Sequence, residues 1–276
     1  MGILDWFLGN RGERGQSPGA PRVAARAMVL AAIACRADLE RDLDAGVHDL
    51  HANEQARHRL VRWVNESDLK SEMEPEESQF LRTPMAQADE RAVINAGWRT
   101  EGLAVLAWAL QLFELPPYDT GTDQRALVRS IGLPRPISEE DPRRSATLRP
   151  PSAIGRYASH MTIVNWRLRQ FRSSHDSDLY HQAIQIFPSG RTGIGQPMDF
   201  VRYLQSHPCY KETWLEGLRL KDGDLALGDT AIADAPADVI ERCGSTAVER
   251  QIAAYWLRGD HRIYSNVNPA TLLSTC

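Results

Sequence analysis

Charged side chains sit inside helical stretches of this chain that are otherwise almost wholly apolar. Arg26 lies within Val23–Leu30, Glu101 stands two residues before the unbroken apolar run Leu103–Leu110, and Glu249 and Arg250 sit within Ala247–Ala254. A helix that is apolar nearly all round is an interior helix. Removing an ion from water then costs several kcal/mol unless an opposite charge meets it. Arg26 and Glu101 are therefore expected to find opposite charges, each other being one candidate pairing, and Glu249 to pair with an arginine. Arg167 and Arg169 flank Trp166 in a similar setting.

These stretches belong to longer helical patterns. The first runs from about Arg22 to Leu43. A more polar helix, His51–Asn65, has Leu60, Val61 and Val64 as its buried stripe, and Pro75 with Glu76 and Glu77 suits a helix start. Gly97–Phe113 is the most apolar helix and ends before Pro116-Pro117, which cannot continue it. Tyr118 to Pro151 reads as a long surface connection with one short helix near Gln124–Ile131. Helices follow at Ser152–Phe171, with Ser152 as N-cap, and near Asp178–Phe187 and Pro197–Gln205. Asp-Gly signals beside alternating leucines in Gly217–Ile232 indicate a small hairpin. Ser245–Leu257 closes the pattern, capped by Ser245 or Thr246, with Gly259 just past its end. The expected fold is mainly α: a single multi-helix domain over residues 22–276 with a small β-hairpin near the C-terminal third, behind a flexible tail of residues 1–21.

Composition excludes more than it selects. The chain has 276 residues, 32 basic and 36 acidic side chains and a formal net charge of −4, which argues against a nucleic-acid partner, whose binder would carry a basic face. No run approaches the roughly 18 apolar residues of a membrane span. Cys35, Cys209, Cys243 and Cys276 are far apart, which fits reduced thiols and a cytoplasmic location. Asp5 interrupts the N-terminal apolar stretch, so no signal peptide is expected. Ile3, Leu4, Trp6, Phe7 and Leu8 form one amphipathic turn expected to dock on the protein's own body, and Asn10–Pro21 reads as a linker.

The chain carries few signals of reaction chemistry. GxSxG, HExxH, Walker-type and GxGxxG patterns are absent, which removes the usual support for those hydrolases, metalloproteases and nucleotide-binding enzymes. Ser189–Gly195 is glycine-rich and contains Arg191, but the flanking prolines favour a plain connection over a phosphate cradle. Asp119-Thr120-Gly121 matches the aspartic-protease triplet, yet that chemistry needs two such aspartates in a β-rich fold. His48, His51, Glu54 and His58 share a helix face that reads as solvated rather than metal-binding. No catalytic residue, metal or cofactor is assigned. The candidate binding residues are Arg26, Trp98, Arg99, Glu101, Glu249 and Arg250.

Several of these segments carry a family resemblance. Arg22–Leu30, Glu76–Pro84, Trp98–Leu110 with Leu115-Pro116, Trp166-Arg167, Gly223–Leu227 and Val248–Gly259 follow the order of a large bacterial family, domain of unknown function 4272. The chain resembles that family over most of residues 22–270, most specifically in Trp98-Arg99-x-Glu101 followed by Leu106-x-Trp108-Ala109-Leu110. It departs at Thr100, where the family pattern has an aromatic, and at Tyr255, where the family often has Asn. The resemblance implies a helical fold in one domain and supplies no activity to transfer. Such families often lie in toxin and antitoxin gene neighbourhoods, which is an association and not a mechanism.

The functional expectation is a cytoplasmic bacterial protein without catalytic activity that binds another protein, most concretely an immunity or inhibitor protein neutralising a cognate toxin. Net acidity suits a basic partner, and Glu66–Glu77 and Glu139–Asp141 are candidate contact surfaces. The alternative is an enzyme of unfamiliar type, with Glu101, Arg99, Arg26 and Glu249 converging in one cleft to act on an anionic small molecule. A homodimeric scaffold using exposed Trp6 or Trp214 is a third. A deep pocket holding the four charges would favour the enzyme; closed ion pairs below the surface would favour the binder.

Overall fold

Pro21 stands in the first turn of helix α1 (Ala20–Asp44), where its missing N–H leaves no hydrogen bond unmade. A computed structural model describes residues 15–131, 142–173, 200–206 and 210–269. In α1 nearly every side chain from Val23 to Ala34 is buried. Helix α2 (Leu50–Glu66) starts where the Asp49 carboxylate accepts the Ala52 N–H at 2.7 Å. Its buried stripe is Asn53, Arg57, Leu60, Trp63 and Val64, with the expected Val61 only half-buried. Helix α3 (Pro75–Arg82) opens with a capping box between Glu74 and Glu77.

Helix α4 (Glu90–Ala109) begins two turns before the expected Gly97, because the Asp89 carboxylate caps it by accepting the Ala92 N–H. It ends at Ala109, short of Phe113, where Gln111 turns to a φ of +63°. Short helices α5 (Gln124–Ile131) and α6 (Pro142–Ser145) precede α7 (Pro151–Ser173) and α8 (Phe200–Ser206). Helix α9 (Ala237–Leu257) also starts earlier than expected. Ser245 and Thr246 lie inside it rather than capping it, since Ile240 and Cys243 continue its buried face toward the N-terminus. Past its end, Gly259 adopts a φ of +81°. Its N–H reaches the Trp256 carbonyl and the Asp260 N–H reaches that of Tyr255, the paired closure of a Schellman motif.

The helices pack in the order α2, α1, α4, α9, α7, so that α4 lies between α1 and α9. That position explains why the stretch after Gly102 is apolar on every side. Helices α1 and α4 are antiparallel: Leu30 packs beside Gly102, and Arg41 beside Gly97. One apolar core joins α1, α4 and α9, a second joins α1 to α2 and α3, and a third joins α7 and the start of α9 to the sheet.

The expected hairpin is present and extends into a three-stranded antiparallel sheet of β1 (Leu220–Lys221), β2 (Asp224–Leu227) and β3 (Thr230–Ala231). Asp222 and Gly223 both have positive φ in the first turn, as a two-residue turn of this hand requires. Tyr118, expected on the surface, is buried and donates its hydroxyl to the Ala226 carbonyl at 2.5 Å. Its neighbour Asp119 pairs with Arg219 and accepts the Gly228 N–H at 2.6 Å. Asp119 of the Asp-Thr-Gly triplet thus holds the sheet. Trp214, expected to be exposed, is buried in the α7 core.

No helix among the described residues is long and apolar enough to cross a membrane. The N-terminal turn with Trp6, the Glu139–Asp141 stretch, the Asp178–Phe187 helix and the Ser189–Gly195 loop lie outside the described residues.

Candidate functional site

Arg26 and Glu101 do not pair. Arg26 leaves the α1 face that meets α3, and its two terminal nitrogens donate to the Glu77 carboxylate at 2.8 and 2.5 Å. A further bond to the Glu72 carbonyl ties down the turn before α3. Glu77 also accepts the Glu74 N–H of the capping box, so Arg26 neutralises a carboxylate that the helix start already holds in place. The Glu66–Glu77 stretch is therefore largely committed inside the chain: Glu77 is buried and Glu72 pairs with Arg22 at 2.8 Å.

Two further pairs join α4 to α9. Arg99 reaches Glu249 at 3.1 Å, the arginine pairing expected for Glu249. Glu101 meets Arg250, whose Nε donates to Oε2 at 2.8 Å. Arg250 spends its other N–H groups on the carbonyls of Pro116, Pro117 and Thr120. Glu101 in turn accepts the Thr122 N–H at 2.7 Å and the Thr122 hydroxyl at 2.8 Å. The 116–122 connection is thereby fastened to both helices.

The four charges of the enzyme reading consequently divide. Arg26, Arg99 and Glu249 gather around Tyr264, with the two guanidinium groups 4.5 and 5.7 Å from its ring centre. Burial pushes the Glu249 carboxyl and the Tyr264 hydroxyl above their ordinary ranges, opposed by the nearby arginines. Glu101 turns the other way, onto Arg250 and Thr122.

A second set of buried charges was not singled out in the sequence. Arg36 and Arg57 donate to the carbonyls of Leu81, Arg82 and Thr83, while their partners Glu40 and Glu54 accept the N–H groups of Ala86 and Met85. Each arginine–glutamate pair thus holds one side of the loop after α3. Hydrogen bonds from Arg57, aided by the Met85 N–H and opposed by burial, hold the Glu54 carboxyl down at about 2. Glu54 is spent on this clamp, and no group of three or more metal-ligating side chains occurs among the described residues. The only sequence signal was the spacing: i, i+4 for Arg36 and Glu40, and i, i+3 for Glu54 and Arg57.

Between the C-terminal half of α1, the N-terminal half of α4 and residues 121–125, which lead into α5, lies a groove of about 930 Å³, closed on one side by Arg242 and Thr246 of α9. Its floor is a polar mesh. Gln124 donates to Asp38 at 2.5 Å and accepts from the Thr100 hydroxyl at 2.9 Å, while Arg41 bonds both Asp38 and Gln124. Gly97 makes room for Arg41, whose Nη1 would stand 2.6 Å from an added Cβ. Of the six candidate residues, Trp98 and Glu101 line the groove; Arg26, Arg99, Glu249 and Arg250 do not. Trp98 has no hydrogen bond and no ring contact among the described residues. Arg250 acts from behind, because its bonds hold the loop that forms one wall.

A family model described as Domain of unknown function (DUF4272) matches residues 13–181. The chain belongs to DUF4272. The matched DUF4272 stretch contains α1, α4 and residues 121–125, hence most of the groove, and ends before the sheet and α9. Arg250 and the segments Gly223–Leu227 and Val248–Gly259 lie beyond it. No curated protein and no solved structure matches the chain. Thr100, inside the matched stretch, bonds Gln124 in the groove floor; Tyr255 lies beyond that stretch, and its hydroxyl bonds that of Thr162 at 2.6 Å.

Proposed function

We propose that this DUF4272 member is a non-catalytic cytoplasmic bacterial protein that binds another protein through the groove, most concretely an immunity or inhibitor protein that neutralises a toxin. The observation that carries this reading is the closure of the Glu101–Arg250 pair. An acid–base catalyst must bring its oxygen within hydrogen-bond reach of a substrate proton. Both Glu101 oxygens are occupied by Thr122 and Arg250, and Glu101 is buried. The separation of Arg26 from Glu101 weighs against a shared Glu/Arg cleft. What remains accessible is a polar groove that carries a half-buried tryptophan, a residue type enriched at protein interfaces, and an exposed isoleucine.

Co-expression with the product of the adjacent gene tests the reading. Protection of cells from that product, together with a stable complex of the two purified proteins, is the expected result. A product that harms cells equally with or without this protein, and does not bind it, overturns the immunity version.

A further inference from the structure

We infer that the groove receives a basic side chain, arginine or lysine, of the partner protein, flanked by an apolar residue; this deepens the binding reading above and rests on it. Most groove charges are already met inside the chain. Asp38 is bonded by Arg41 and Gln124, Glu40 by Arg36 at 2.6 Å, Glu101 by Arg250, and Asp123 by the Ala126 N–H at 3.1 Å. Asp44 and Glu90 are met by no side chain among the described residues, and both are exposed in the groove.

The antiparallel packing of α1 on α4 brings these two carboxylates to the same end. Asp44 is the last residue of α1 and Glu90 the first of α4. Glu90 is favourably placed at the positive end of its helix dipole, whereas Asp44 adds negative charge to an end that is already negative. Arg41, the one basic residue in that last turn, is turned away onto Asp38 and Gln124. A cation supplied from outside compensates both carboxylates and the helix end.

Ile94, four residues after Glu90 and therefore on the same face, is 51% exposed. Just beyond the groove, Val47 in the connection past Asp44 and Leu50 at the start of α2 are 56% and 52% exposed. An apolar neighbour of the basic residue has these side chains to cover, and the Trp98 indole is free to meet its backbone. Arg125, on the 121–125 segment of the groove, is also met by no side chain among the described residues, and gives the bound segment a direction by attracting an acidic group. The net charge of −4 draws a basic partner over longer range.

The probe is a displayed library of random peptides, selected on the full-length protein. Selection is expected to enrich sequences with Arg or Lys next to Leu, Ile or an aromatic residue. Binding is expected to fall at least tenfold in the Asp44→Asn/Glu90→Gln variant and in Ile94→Asp, whose exposed positions leave the circular dichroism unchanged. Enrichment of acidic peptides, or no enrichment, overturns the inference. Peptides indifferent to these substitutions also overturn it, by placing binding on another face. Self-association that Ile94→Asp abolishes, seen by light scattering, overturns it by making a second copy the occupant. The adjacent gene's product separates the two levels: equal binding to wild type and the groove variants defeats the inference and spares the binding reading.

Discussion

Arg250 joins Glu101 through a 2.8 Å bond from its Nε and, with the rest of its guanidinium, closes on three carbonyls of the 116–122 connection. The two partners are not equally dependent on one another. Without Glu101, Arg250 keeps its three carbonyls; without Arg250, Glu101 keeps only Thr122. Breaking a buried pair costs about 3–5 kcal/mol, and Arg250→Met is expected to reach that range while Glu101→Gln costs less. Urea denaturation of the two variants measures the difference.

Gly102 and Gly97 lie on the same helix but differ in what stands beside them. A Cβ at Gly102 would overlap the Tyr264 hydroxyl, a buried group with no hydrogen-bond partner among the described residues. Gly102→Ala is expected to destabilise by about 1–3 kcal/mol, and adding Tyr264→Phe to restore much of the loss. At Gly97 the obstacle is only the far end of Arg41. The roughly 1 kcal/mol that alanine gains over glycine in a helix offsets its displacement, so Gly97→Ala is expected to be nearly neutral. Thermal melts of the three variants check this ordering.

Glu54 makes part of the stability dependent on pH. Its folded carboxyl titrates at about 2, below the unfolded value of about 4.3. Its contribution is therefore fully present above the unfolded value and is lost as pH falls through the folded one. Glu54→Gln is expected to be less stable than wild type at neutral pH. The gap should narrow from about pH 4 downward and close near pH 2. Melting curves across that range show whether it does.

The apolar helices and the need to pair their charges were legible in the sequence, because periodicity reports burial directly. Which charge meets which was not. Arg26 faces α3 rather than α4 because of how α1 sits between them, and Glu77 reads locally as an ordinary acidic helix start. The true starts of α4 and α9 were obscured for a related reason. Glu90 and Arg91 make the first turn of α4 polar, and Ser245 with Thr246 resembles a cap inside a helix whose burial begins earlier. Of the six candidate binding residues named from the apolar helices, Trp98 and Glu101 line the groove. Asp44 and Glu90 were missed, since only the antiparallel packing of α1 on α4 brings them together.

Residue-resolved hydrogen exchange, with and without the adjacent gene's product, tests most directly whether the buried pairs brace a protein-binding groove. The expected result is added protection on complex formation along residues 90–98 and 121–125, with the amides around Tyr264 unchanged. Protection confined to another face, or no change at the groove walls in a complex that demonstrably forms, would contradict it.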